Sequence, residues 1–151
     1  TSNNFKQMKI IHLEDISEVT FILEEELPSL GFAYIKATSI FEINEILDSD
    51  SCECLIIDLN LPTDGLSKEL SELTRDGKIT GWIWIKHIGI NKYSLNPANM
   101  IIYSDYIQEL DSITDNDLEK IKKIKKRKAG NRESSIKELH KNLEQIKKSL
   151  S

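Results

Sequence analysis

Apolar residues in this chain come in two patterns, short unbroken runs and stripes at helical spacing, and the two alternate. The first run, Lys9-Ile10-Ile11-His12-Leu13, reads as a strand buried on both faces, because such strands lose the polar alternation of a half-exposed sheet. Ile16, Val19, Ile22, Leu23, Leu27 and Leu30 follow a helical period, with Asp15 or Ser17 offered as N-cap and Pro28 and Gly31 closing the segment. Phe32 to Ala37 reads as a second strand. Ser39 and Glu42 have capping-box spacing and open a helix through Ile43, Ile46 and Leu47. A third strand covers residues 53–58 and ends Ile56-Ile57-Asp58.

The pattern is less regular after Pro62. Leu66, Leu70 and Leu73 have helical spacing before the turn signal Asp76-Gly77, and Thr80 is the candidate cap of a dense apolar helix, Gly81 to Ile88. Asn96-Pro97 breaks the chain before a fourth strand, Asn99 to Ser104. Ile107, Leu110 and Ile113 predict a helix over residues 105–118. Residues 120–126 suit either continued helix or a strand, and their lysines allow only an edge strand, which is the reading adopted. Ser135 and Glu138 have capping-box spacing at the start of a last helix, whose Ile136, Leu139, Leu143, Ile146 and Leu150 form a seam. That seam is too short to define a coiled coil, so packing on the sheet is preferred and homodimerisation through it stays open.

Strand–helix alternation predicts an α/β domain with a parallel sheet, right-handed crossovers and helices on both faces. Ligands of such sheets bind beyond the carboxyl ends of the strands. Glu14 and Asp15 end the first strand and Asp58 ends the third, so three carboxylates are offered to one crevice. Their repulsion calls for a cation, and an all-oxygen donor set suits Mg²⁺.

Composition narrows the function classes. With 39% apolar and 30% charged residues in 151, the chain has the make-up of one folded domain, here taken as residues 8–151 after a disordered leader or tag remnant at 1–7. No apolar run approaches the ~20 residues of a membrane span, which predicts a cytoplasmic protein without a membrane role. Cys52 and Cys54 read as ordinary reduced thiols. Residues 1–75 carry 5 basic and 15 acidic groups against 15 and 10 in residues 76–151. The basic groups of the second half are interleaved with Glu at helical spacing, as on a solvated face, so nucleic acid is not the expected partner.

Taken together, these residues resemble the receiver domain of bacterial two-component response regulators over residues 8–150. The likeness rests on Glu14 and Asp15 after the first strand, Asp58 after the third followed by Leu59-Asn60-Leu61-Pro62, Ser104 after the fourth, and Lys126 two residues after Ile124. It implies a doubly wound five-stranded parallel sheet in the flavodoxin-like order 2-1-3-4-5. It also implies that Glu14, Asp15, Asp58 and the backbone carbonyl of Asn60 hold Mg²⁺. Asp58 would take a phosphoryl group from a phosphohistidine on a histidine kinase or histidine phosphotransfer protein, and Mg²⁺ and Lys126 would neutralise the transferred charge. Ser104 would turn toward the phosphoryl group and bias a two-state surface. Such a protein catalyses its own phosphorylation and dephosphorylation and is not a conventional turnover enzyme. Lys128 is the alternative to Lys126, and His12 reads as a core histidine.

Three departures from that family qualify the expectation. Gly81 holds the place of a helical glycine that usually follows the proline sooner, so residues 63–80 form an insertion, which could gate the site, select a partner or be a neutral elaboration. Lys123 stands where many receivers carry a switching aromatic, with Tyr103 and Tyr106 near Ser104 as substitutes. No output domain is expected, so any effect passes to a separate protein target. Two other functions fit part of the pattern: a pseudo-receiver that binds a partner without phosphorylation, and a metal-dependent phosphatase or hydrolase with an aspartyl nucleophile.

Overall fold

The computed structural model describes residues 7–127 and 132–151. Apart from residue 7, the expected leader lies outside these, as does Lys128. The described residues form strands β1 (Met8–Leu13), β2 (Phe32–Ala37), β3 (Cys54–Ile57), β4 (Met100–Ser104) and β5 (Lys122–Lys125), all parallel, in the order β2-β1-β3-β4-β5. Helices α1 (Ser17–Glu26), α2 (Ile40–Ser49), α3 (Lys68–Ser71), α4 (Thr80–Trp84), α5 (Asn116–Lys120) and α6 (Arg132–Leu150) complete the fold. The predicted α/β architecture and strand order are both observed.

Each face of the sheet carries its own core, as a sheet buried on both sides must. Ile11, Leu13, Leu55 and Ile57 point to one side, under α2, α4 and Trp84. Met8, Ile10, Ile56, Ile101 and Tyr103 point to the other, under Leu23 of α1 and Leu139, Leu143 and Ile146 of α6. The α6 seam therefore packs on its own sheet. Among the described residues the lysine-rich β5 is an edge strand, as expected, pairing only with β4.

Several helix boundaries differ from expectation, some through bonds to near neighbours and some through partners on other elements. Neither Asp15 nor Ser17 caps α1. Ile16 is the cap residue, and its N–H donates to Oε2 of Glu14 at 3.3 Å. Thr80 is the first residue of α4 and no cap, because its hydroxyl donates to the Gly77 carbonyl. That helix continues past Trp84 as a wider-wound turn, Ile85–Gly89.

The helix expected over residues 105–118 is absent. Tyr106 donates its N–H to Ser104 Oγ, a tight 3-10 turn spans Ile107–Leu110, and Asp115 restarts the chain as α5 by accepting from the N–H groups of Asp117 and Leu118. Lys86 from the segment after α4 fixes that restart by pairing with both Asp115 and Asp117. Ser135, expected as a cap, lies buried inside α6.

Residues 63–80 form a compact excursion between β3 and α4. Ser67 caps α3, and Thr74 Oγ1 donates to the Ser71 carbonyl while accepting from Gly77 N–H. Arg75, Asp76 and Gly77 are all left-handed, with φ of 54°, 56° and 86°, a run that only a tightly bonded turn sustains. The Arg75 guanidinium reaches across to the loop after β4, donating to the Glu109 carbonyl at 2.6 Å and Ser112 Oγ at 2.9 Å.

Candidate functional site

The parallel ladders deliver the site residues to one edge. Glu14 N–H donates to the Ala37 carbonyl, Asp58 N–H to Leu13 and Lys126 N–H to Ser104, so each leaves its strand at the same C-terminal rim. Glu14, Asp15 and Asp58 there bring one carboxylate oxygen apiece within 4.8 Å of one another. Glu14 is fully buried and Asp58 is 3% exposed, while Asp15 faces solvent.

Lys126, 6% exposed, bridges the two buried acids through its ammonium. The ammonium lies 2.5 Å from Glu14 Oε1 and 3.0 Å from Asp58 Oδ2. Burial alone would depress this lysine, but Asp58 and Glu14 hold it above the usual lysine value. Glu14 is pushed up to about 7, first by burial and then by the Asp58 charge, against the pull of Lys126. One ammonium thus falls short of neutralising the cluster, which leaves it an acceptor for a further cation. Three convergent carboxylates are the hard oxygen set that suits Mg²⁺, and a small divalent ion fits this donor chemistry.

Ser104 belongs to the same group. Its hydroxyl oxygen accepts from Leu59 N–H at 3.4 Å, and the same N–H donates to Asp58 Oδ1 at 2.7 Å. His12, on β1 just before the acids, is a fully buried core histidine with Nδ1 2.7 Å from the Tyr34 hydroxyl. Burial, and next the Lys126 charge, lowers its pKa to about 3 and keeps it neutral.

Lys123 faces away from the acids: its ammonium donates to the carbonyls of Leu118 and Ile121 at the end of α5. Gly81 is packed so closely on β3 that a Cβ there would overlap the Asp58 carbonyl oxygen, and its N–H donates to the Leu59 carbonyl. The glycine in the first turn of α4 is therefore a packing requirement of the acid site.

Three features escaped sequence reasoning. The Leu59 N–H is backbone and carries no sequence signal. Ser135 Oγ donates to the Lys126 carbonyl at 2.6 Å, which no local spacing reveals. A cleft of about 450 Å³ opens beside the acids, with Asp15, Asn60 and Pro62 on one side and Ser71, Thr74, Asp76 and Gly77 of the excursion among the residues facing them; only the Asp76-Gly77 turn signal hinted at its shape.

No family model matches the sequence, and no curated protein does. Solved structures do. The chain is similar to the response regulator TrrA of Thermotoga maritima in complex with Mg²⁺-BeF, at 20% identity and a TM-score of 0.55, covering 91% of this chain and 100% of that one. It is similar to the chemotaxis response regulator CheY4 of Vibrio cholerae, at 12% identity and a TM-score of 0.56, covering 91% and 100%. A response regulator receiver domain of Methanospirillum hungatei matches at 14% identity and a TM-score of 0.58, covering 95% and 99%. At these identities the likeness establishes the fold, which is that of response-regulator receiver domains.

Proposed function

We propose, starting from a receiver-domain fold, that the chain is a phosphoacceptor signalling domain whose acceptor is Asp58. The observation that carries the reading is the Lys126 bridge to Glu14 and Asp58 with Asp15 in reach, since strand ends far apart in sequence combine acids and a lysine at one rim. A structural salt bridge explains one buried pair; it does not explain two buried carboxylates on one ammonium with a third carboxylate converging on them, an arrangement that costs stability unless a further cation is shared.

In the proposed reaction an Asp58 oxygen attacks the phosphorus of a phosphohistidine on a histidine kinase or phosphotransfer protein. The P–O bond forms as the P–N bond breaks, and the imidazole, protonated on its other ring nitrogen, leaves with the bonding electron pair, yielding an acyl phosphate and a neutral histidine. Glu14, Asp15, Asp58 and the Asn60 carbonyl would hold Mg²⁺, which supplies charge neutralisation for the phosphoryl oxygens. Lys126 would exchange its carboxylate partners for a phosphoryl oxygen. Leu59 N–H, already donating to Asp58, and the Ser104 hydroxyl beside it would donate to the others. The signal then passes to a separate protein target.

Residues 63–80 would form one wall of the donor's approach, because the cleft they share with Asp15 and Asn60 adjoins the acids. Shortening residues 66–78 should then change phosphotransfer from a protein donor more than from acetyl phosphate. Unchanged rates and partner choice would make the segment a neutral elaboration.

The direct test is intact-mass measurement with Mg²⁺ and acetyl phosphate. Wild type should gain one phosphoryl group and Asp58→Asn none. Labelling of the variant at the wild-type rate refutes Asp58 as acceptor. Failure of wild type to take up either a phosphoryl group or beryllofluoride would instead leave an interaction module of the same fold.

A further inference from the structure

Lys126 stands one residue beyond the end of β5, where the sheet no longer fixes both sides of its peptide unit. Its N–H is the last rung, donating to the Ser104 carbonyl at 3.2 Å. Its carbonyl is met from the opposite layer by the Ser135 hydroxyl of α6, at 2.6 Å. Ser135 is fully buried, and its oxygen lies 3.1 Å from the Tyr103 hydroxyl on β4. A serine hydroxyl has one proton to give. With that proton on the Lys126 carbonyl, Tyr103 is the donor to Ser135, and a chain runs Tyr103 to Ser135 to Lys126.

A buried serine in a helix commonly satisfies itself on its own preceding turn, and the Arg132 carbonyl at 2.8 Å offers that here. The Lys126 carbonyl is the closer acceptor. We propose that Ser135 is a positioning residue for the site lysine, holding the Lys126 backbone so that its ammonium spans Glu14 and Asp58. This rests on the phosphoacceptor reading of the site. A lysine has four rotatable side-chain bonds, so its head group is only as well placed as its Cα. The ammonium must also serve acids delivered by two different strands, which leaves little tolerance for displacement.

The test is a double-mutant cycle on the full chain with Mg²⁺ and acetyl phosphate, following phosphorylation by intact mass. Ser135→Ala should slow phosphorylation about ten-fold, since small misplacements of a catalytic group cost rate steeply. Mg²⁺ affinity, measured by calorimetry, should stay within about two-fold because the acids are untouched. In a Lys126→Ala background the serine substitution should cause no further slowing. Tyr103→Phe, which removes the donor to Ser135 but keeps the bond to Lys126, should slow the reaction far less than Ser135→Ala.

Equal fractional slowing in the presence and absence of Lys126 overturns the proposal, as does an equal effect of Tyr103→Phe. If wild type takes no phosphoryl group at all, the phosphoacceptor reading fails separately. Positioning is then read from the lysine itself: Ser135→Ala should raise acetylation of Lys126 by an amine-reactive reagent several-fold relative to exposed Lys120. Unchanged labelling overturns it.

Discussion

Replacing Gly81 with alanine tests whether α4 is docked on the acid site as tightly as the geometry requires. Local propensity argues for stabilisation, since alanine in a helix is favoured over glycine by about 1 kcal/mol. The tertiary position argues the reverse. The added Cβ would overlap the Asp58 carbonyl oxygen, lie 3.0 Å from the carbonyl carbon and 3.3 Å from Ile57 Cγ1. The obstacle is backbone of a central strand, with no flexible side-chain end to move aside. Relief requires α4 or the end of β3 to move by roughly 1 Å, and overpacking of this kind costs about 3 kcal/mol. The net expectation is a loss of about 2 kcal/mol in urea unfolding, with an unchanged m-value. Because Asp58 moves with its carbonyl, phosphorylation by acetyl phosphate should slow by about ten-fold or more. A Gly81→Ala variant as stable as wild type, or more stable, would refute the packing argument, whatever the function of the site.

Three further outcomes follow from the charges and the excursion. In chelator, Glu14 favours its proton in the folded state, so its contribution is complete below its unfolded value and is lost as pH rises through about 7. That loss approaches about 3 kcal/mol, and Glu14→Gln should flatten it in urea titrations between pH 5 and 8, with added Mg²⁺ stabilising wild type more at pH 8 than at pH 5. His12 has the opposite sign: its pKa of about 3 lies below the ordinary histidine value of about 6.5, so its contribution is present above pH 6.5 and is lost as pH falls. It should cost about 2 kcal/mol by pH 5, and an imidazole resonance that titrated near 6.5 would contradict the buried neutral ring. Arg75→Ala should lose about 1 kcal/mol with its two hydrogen bonds and raise amide exchange across residues 66–79, whereas unchanged exchange would show that the tie to Glu109 and Ser112 holds nothing in place.

The sheet was legible because its three central strands are buried on both faces: the runs ending at Leu13, Ile57 and Ser104 read as buried strands, and an acid follows each directly. Asp58 and the Glu14-Asp15 pair could be brought together on paper because parallel strands share one C-terminal rim. The helices after Pro62 were less legible because their limits are set by distant partners. Asp115 starts α5 with Lys86 beside it, and the chain after β4 closes into the 3-10 turn Ile107–Leu110 before that restart. Ser135 and Glu138 had cap spacing in the sequence, yet the serine answers to the Lys126 carbonyl, nine residues upstream. A local rule cannot see a partner on another layer.

The same contacts bear on how a charge at Asp58 would be felt elsewhere. Lys123 caps the carbonyls at the end of α5 through two hydrogen bonds, and a cation there is also favoured by the helix dipole. A switch in which the residue at 123 swings inward would break both bonds and carry an ammonium toward Lys126, so that route is closed by charge as well as by geometry. Ser104 is differently placed. Its oxygen accepts from Leu59 N–H beside Asp58 and from Tyr106 N–H at the head of the following loop. On the phosphoacceptor reading, a hydroxyl drawn to a phosphoryl group would weaken its hold on Tyr106. The loop it releases is the one that Arg75 grips at Glu109 and Ser112. A change at Asp58 would therefore reach residues 63–80 by a short path of bonded groups, through Ser104, the loop after β4 and Arg75.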